Sequence, residues 1–378
     1  MSTLKTVVTA TPLYFLFLSL LFLTSCKGQE TTELPTETTD QIIASESKVD
    51  EVDPYFNGTQ TFTTSKGPER ITRNVLQDRN GHYWFATWDG IIRYDGESFT
   101  NFTNKEGLRR FRVFSMLEDS NGIIWFGTIG AGLYRYDGES FTNITTKNGL
   151  VNDSVGCIYE DKSGHIWFGT QAGISCCDPS ASILSFRNFS TENGLPNGDI
   201  NSIIEDKKGK FWFGSRGEAF YSDSSLLTKG PKGNTFTIFK NKQGAPFVNV
   251  RSIIEDKKGN IWLGGNDGFW RFDGLFLFNG NSLTKYSTDF VGYIYEDKEG
   301  NIWTSSAVDG NANRWKLSRY DVKTLLDMKP TVSQVTEQQD MFFGIIEDKD
   351  GAIWFGTLNG VCRYNIELSN EKRFEYFR

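Results

Sequence analysis

From about residue 60 onward the chain alternates short apolar runs with tight polar turns, and one stretch shows the whole pattern. Phe114–Glu118 (FSMLE) predicts a strand, and Asp119-Ser-Asn-Gly122 predicts a tight turn. Ile123–Thr128 (IIWFGT) is nearly all apolar, as a strand covered on both faces should be. Leu133–Tyr136 (LYRY) predicts a third strand, Asp137-Gly-Glu-Ser140 a turn, and Phe141–Thr145 (FTNIT) a fourth strand. In such turns Asp accepts hydrogen bonds from nearby backbone N–H groups and Gly supplies a positive φ. These strands are lettered a to d.

The unit recurs. Asp-x-x-Gly-x-x-Trp occurs at Asp78/Gly81/Trp84, Asp119/Gly122/Trp125, Asp161/Gly164/Trp167, Asp206/Gly209/Trp212, Asp256/Gly259/Trp262, Asp297/Gly300/Trp303 and Asp348/Gly351/Trp354. Successive Asp residues lie 41, 42, 45, 50, 41 and 51 positions apart. Periods of this size, with several short strands per repeat, predict a β-propeller. The expectation is an all-β, seven-bladed propeller of four-stranded antiparallel blades over residues 57–378. A residue present in every blade is explained by blade construction. The motif Trp and Asp residues, and the strand-c residues Arg93, Arg135, Arg271, Arg319 and Arg363, are therefore assigned to the scaffold. Thr59–Thr64 (TQTFTT) and Lys372–Phe377 (KRFEYF) compete for strand d of the last blade. The N-terminal strand is favoured there, because closure by both ends hides both edges.

The first residues read as an address. Lys5 precedes an apolar run of 11 residues, Leu13–Leu23, too short for the roughly 20 residues of a membrane-spanning helix and suited to a signal peptide. Leu23-Thr24-Ser25-Cys26 resembles the lipobox of bacterial lipoproteins, which implies cleavage before Cys26 and its acylation. Several acyl chains give stable anchoring where one does not. Residues 1–25 are thus expected to be a lipoprotein signal peptide, and 26–56 a lipidated Cys with a disordered acidic tether. The protein is expected to be exported to the bacterial cell envelope and held on the outer membrane by its N-terminal lipid.

Charge and composition narrow the chemistry. The 378 residues carry a net charge of −7, so the basic footprint of a nucleic-acid binder is missing. From Pro54 onward 39 acidic side chains face 37 basic ones, a balance that favours a neutral ligand over a polyanion. Five Cys and two His leave little material for a metal or His-based site. His82 and His165 fall in a–b turns of separate blades, and Asp348-Lys-Asp350-Gly351 lacks the further acids of a calcium loop. No catalytic group, cofactor or metal is expected.

Segments such as SIIEDKKGNIWLGG (Ser252–Gly265) and FGIIEDKDGAIWFGTLNGVCRYN (Phe343–Asn365) resemble the two-component regulator propeller family, found in exported sensor regions of bacterial hybrid histidine kinases. The resemblance implies extracellular detection of carbohydrates or other small molecules, with a signal passed to a kinase. No kinase or transmembrane segment follows the last repeat here, so a stand-alone lipoprotein is expected, acting through a membrane sensor-kinase or surface-complex partner.

Antiparallel order places the a–b and c–d turns, short and uniform, on one side of the ring. The b–c loops and d–a connections lie on the other side, where chemistry varies and function tends to sit. The b–c loops offer Trp88, Asp89, Gln171, Arg216, Asn266, Asp267 and Asn359, and an insertion from Ser305 to Trp315 adds Asp309, Asn313, Arg314 and Trp315. The d–a connections add Arg109, Arg110, Phe111, Asp153 and Asn197. Trp88, Phe111 and Trp315 suit stacking on a sugar ring and the polar groups suit its hydroxyls, the usual make-up of a small-ligand pocket. A sensor binding an oligosaccharide is the expected function. A protein-interaction platform in a cell-surface complex is the alternative, and a polysaccharide lyase, relying on acids such as Asp89 and Asp309, is the third reading.

Overall fold

The computed structural model describes residues 62–103, 112–222, 236–241, 243–265, 274–278, 283–325, 330–369 and 372–378, all within a unit spanning Glu51–Arg378. The proposed signal peptide, Cys26 and the acidic tether lie outside these residues.

The fold is an all-β propeller of antiparallel sheets. The expectation of seven four-stranded blades is corrected: six sheets have four strands, and the sheet of the first repeat has five. Its strands run in the order Phe62–Thr64, Phe99–Asn101, Gly90–Tyr94, Tyr83–Thr87, Thr72–Gln77. The favoured ring closure is corrected with it. Phe62–Thr64 pairs outside strand d of its own sheet, while Phe374–Phe377 supplies strand d of the last sheet by pairing with Gly360–Tyr364. The C-terminal segment takes that place because Phe377 stacks on Trp354, with ring centroids 5.3 Å apart, and meets Tyr94 at 5.5 Å. The edge therefore closes on aromatic packing across the seam.

The motif acts through three contacts. Each motif Asp accepts a hydrogen bond from the indole Nε1 of its own Trp at 2.8–2.9 Å. Its other oxygen accepts the N–H groups that shape the turn, as Asp119 does from Asn121 and Ile123. Strand b is almost wholly buried, and in five repeats it carries a Gly (Gly127, Gly169, Gly214, Gly264 and Gly356) where the next sheet's strand a passes close over it, while Ala86 and Ser305 stand there in the other two. A Cβ on Gly356 would lie 2.0 Å from the Thr72 carbonyl oxygen. The residue after each motif Asp donates its N–H to the following sheet: Arg79 to Glu118, Lys162 to Glu205, Lys207 to Glu255, Lys257 to Glu296 and Lys298 to Glu347. Lys349 closes the series on Gln77 at 2.8 Å.

The motif tryptophans Trp84, Trp125, Trp167, Trp212, Trp262, Trp303 and Trp354 are enclosed between neighbouring sheets, each at most 3% exposed. Trp84 meets Phe126 of the next sheet at 5.6 Å, Trp125 meets Phe168 at 5.4 Å and Trp167 meets Phe211 at 4.7 Å. Trp212 packs in one cluster with Val250, Ile253 and Leu263, and Trp262 in another with Val291, Ile294 and Ile302. Trp303 lies 6.2 Å from Tyr364, and Trp354 lies 4.3 Å from Tyr83. Their faces are spent on interblade packing and their N–H groups on the motif Asp.

The strand-c arginines stay on this scaffold. Arg93 and Arg135 lie over the rings of Trp84 and Trp125, and Arg363 over Trp354 and 3.8 Å from Asp348. Arg319 lies 3.7 Å from Asp297, and Arg271 falls outside the described residues.

The segment read as an insertion is a hairpin extension. Ile302–Val308 pairs with Asn311–Tyr320, and Asp309 and Gly310 turn the tip with φ of +50° and +71°. Alternate residues face the core, so Trp315 is 5% exposed, with its ring 5.4 Å from Phe290. It is a packing residue, not the loop residue the spacing suggested.

Candidate functional site

Among the described residues, the loop residues singled out in the sequence do not converge on one cavity. Asp89 is buried beside Arg70 at 3.4 Å, and the guanidinium of Arg112 lies 4.2 Å over the Trp88 ring. Asp153 accepts the N–H and hydroxyl of Thr146 at 2.7 and 3.1 Å, holding its own connection in shape. Arg216 pairs with Asp199 at 3.2 Å and Arg314 with Glu337, while Gln171, Asn197, Asp309, Asn313 and Asn359 are exposed. Arg109, Arg110, Phe111, Asn266 and Asp267 lie outside the described residues. The two histidines sit in a–b turns, each with Nδ1 3.4 Å from its motif carboxylate. Among the described residues, no three His, Cys, Asp or Glu side chains gather as a metal site.

The cavity lies on the axis. Strand a of each sheet neighbours strand a of the sheets before and after it, and the last meets the first. Together they line a space of about 380 Å³, whose wall includes none of the motif tryptophans. One sequence column reaches that wall in every repeat, the residue five places before each motif Asp: Arg73, Phe114, Gly156, Asn201, Arg251, Gly292 and Phe343. The preceding column behaves as scaffold. Six places before the Asp stand Thr72, Val113, Val155, Ile200, Val250, Val291 and Phe342, all buried.

The backbone explains why this residue can vary. In the first six repeats the a–b register shifts across it, from Thr72 to Asn74, Val113 to Ser115, Val155 to Cys157, Ile200 to Ser202, Val250 to Ser252 and Val291 to Tyr293. A β-bulge leaves its extra residue unpaired and re-aims the side chain. Here the extra residue joins the channel wall, where it meets its neighbours on adjacent sheets: Arg73 lies against Phe114 and Phe343, and Asn201 donates to the Val250 carbonyl. Strand a runs from the d–a connection towards the a–b turn, so this ring stands at the channel end nearest the variable loops. The sequence reading missed these residues, although their signal was present: a column that changes chemistry inside an otherwise uniform motif.

The ring is electrostatically uneven. The Arg73 guanidinium lies between two rings, 4.0 Å from the Phe114 centroid and 4.2 Å from Phe343. Burial, and then the charge of Arg251, push Arg73 down to about 9. Arg251 is lowered by burial first and by Arg216 next, with Asp199 acting the other way. No carboxylate lines the cavity among the described residues. The four described cysteines are free; burial pushes the Cys157, Cys177 and Cys362 thiols up to about 12 and raises Cys176, so none is an activated nucleophile.

The family model for the two component regulator propeller matches residues 112–130, 149–172, 194–217, 244–267 and 337–359. Each matched segment brings a strand a or its d–a connection together with a strand b. The fold is similar to the extracellular domain of a hybrid two component system from B. thetaiotaomicron, at 23% identity and a TM-score of 0.63, over 80% of this chain and 40% of that one. It is also similar to a streptogramin B lyase, at 16% identity and a TM-score of 0.57 over 80% of this chain and 96% of that one. A catalytically inactive His-to-Ala form of virginiamycin B lyase from Staphylococcus aureus with quinupristin shares it too, at 14% identity and a TM-score of 0.56 over 80% and 98%. This chain spans about two fifths of the first of these structures, and none of the curated proteins matches it. The chain therefore has segments that match the two component regulator propeller repeat, and a propeller fold similar to that extracellular domain and to the lyases.

Proposed function

We propose that the protein is an extracytoplasmic recognition propeller of the sensor type, held at the cell envelope through Cys26, which takes a small polar ligand at the loop-side mouth of its axial channel. The observation that carries this reading is the bulge column. Strand a is constrained at almost every position by interblade packing, yet the one residue freed from pairing differs sharply between repeats and lines the cavity. Close packing accounts for Gly156 and Gly292, but the change from Arg to Phe to Asn at the other positions puts different chemistry on one wall.

The ligand class we favour is a carbohydrate fragment. Phe114 and Phe343 offer apolar faces, and Asn201, Ser202 and Tyr293 offer hydrogen-bonding groups beside them. Signal would pass to a membrane sensor-kinase or a surface-complex partner. Lyase chemistry is disfavoured: the described titratable groups lining the cavity are guanidiniums and a phenol and a thiol both raised by burial, and the two histidines are held in turns at the far end of the strands.

The test is a thermal-shift screen of the purified full chain against neutral and acidic oligosaccharides. A ligand at 100 times its Kd adds about 2.7 kcal/mol of stability, a visible rise in Tm. A hit without turnover supports the reading. A cooperatively melting protein that responds to nothing in the panel counts against it and favours a protein partner.

A further inference from the structure

Two arginines in one cavity need an explanation that packing does not give. Arg73 and Arg251 stand on the same ring of bulge residues, in the first and fifth repeats, and both line the axial space. The Nε of each is buried and has no hydrogen-bond partner among the described residues. The carboxylate that acts on Arg251, Asp199, is already paired with Arg216 at 3.2 Å, and Arg73 has no described carboxylate partner. Both side chains are half-buried, and a buried donor such as their Nε is ordinarily paired because leaving it unsatisfied is costly. Phe114 and Phe343 fix the Arg73 guanidinium between their faces. Such stacking orients the fork without using its hydrogen bonds, since a cation over a ring meets the π face.

We infer that the channel mouth is an anion site, in which Arg73 and Arg251 together receive the carboxylate of a small ligand. The assignment rests on the reading of the channel as the recognition site and names the charge of what enters it. Guanidinium groups bind carboxylates through paired, charge-assisted hydrogen bonds, and two from separate repeats can hold one carboxylate or two on a short skeleton. Asn201 and Ser252, on the same wall, supply neutral groups for the remainder of the molecule. This inverts the expectation drawn from the near-balanced total charge, because the field that matters is local to the channel.

The experiment uses the full chain at constant ionic strength, with chloride as the balancing ion. Probes are succinate, succinamide (the same skeleton without charge) and inorganic phosphate. Succinate should raise Tm in a saturable way and succinamide should not. Arg73→Gln and Arg251→Gln should each weaken succinate binding at least tenfold, and Arg73→Lys should retain part of it. Phosphate acting as strongly as succinate would overturn the assignment to a carboxylate. Fold integrity is read from the unliganded melt, where Arg251→Gln should be no less stable than the wild type because a repulsion is removed. Equal effects of succinate and succinamide, or undiminished binding in both Gln variants, would overturn the inference. An oligosaccharide that binds the Arg73→Gln protein as tightly as the wild type would overturn it while leaving the recognition reading standing.

Discussion

The hydroxyl of Tyr83 donates to Oδ2 of Asp348 at 2.8 Å, joining the first sheet to the last across 265 positions of sequence. The same oxygen accepts the Trp354 indole N–H at 2.8 Å, and the Tyr83 and Trp354 rings lie 4.3 Å apart. Burial works to raise the Asp348 carboxyl, but the Trp354 and Tyr83 donors and the Ala352 and Asp350 N–H groups outweigh it and hold it below the ordinary value. This seam contribution is present above the ordinary carboxyl range and is lost as pH falls through the lowered folded value. Tyr83→Phe should cost about 1.5–3 kcal/mol, the range for a hydrogen bond to a charged group. Urea unfolding at pH 7 measures it; an unchanged midpoint would show that the seam does not depend on this bond.

Closure by the C-terminal strand gives a second expectation. Removing Phe374–Phe377 strips the last sheet of strand d and uncovers Trp354, whereas removing Phe62–Thr64 takes only an added outer strand. Melting temperature should fall far more for the first deletion. Phe377→Ala alone should cost about 3 kcal/mol, the low end for a large aromatic truncated in a core, since Phe377 is half-buried. Equal losses from both deletions would contradict this account of closure.

The repeat announced an all-β propeller, because Asp and Gly shape the same turn in each repeat and each Trp packs against the next sheet. What spacing could not convey was competition between the two ends for one edge. Phe377 wins through contacts with Tyr94 and Trp354, which are remote in sequence from one another. Trp315 was misplaced for a related reason: the distance from Trp303 to Arg319 fits a loop or a longer hairpin equally well. The bulge ring was legible in principle, since Arg73, Phe114 and Asn201 share one column. A two-residue alternation hides it, because a bulge breaks the period where the channel begins.

Trp315 is a stability residue, and replacing it tests that directly. Trp315→Ala should cost about 3–5 kcal/mol through the cavity left beside Phe290 and Leu317. Chemical denaturation measures the loss. A full-stability Trp315→Ala protein that had lost ligand binding would return Trp315 to the binding face.

Alkaline conditions should unfold the protein through its buried weak acids. Burial pushes Tyr293 and Tyr320 up to about 12, as it does the Cys157, Cys177 and Cys362 thiols. Their unfolded counterparts ionise near 9 for a thiol and 10 for a phenol. Stability is thus fully present below about pH 9 and is lost as pH climbs towards 12, since the folded state there binds more protons. The urea midpoint should drop steadily from pH 8 to pH 11. A flat profile over that interval would mean these groups are less buried than the structure shows.

The central claim is that recognition takes place in the axial channel, and a plug tests it most directly. Asn201 lines the cavity from the bulge of the fourth repeat, so Asn201→Trp should fill the mouth, while Trp88→Ala alters the loop surface and leaves the channel open. Calorimetric titration of the strongest thermal-shift ligand into both folded variants should show binding abolished by Asn201→Trp and retained, within a few fold, by Trp88→Ala. Binding that survives the plug and disappears with Trp88 would move recognition to the outer loops and contradict the account.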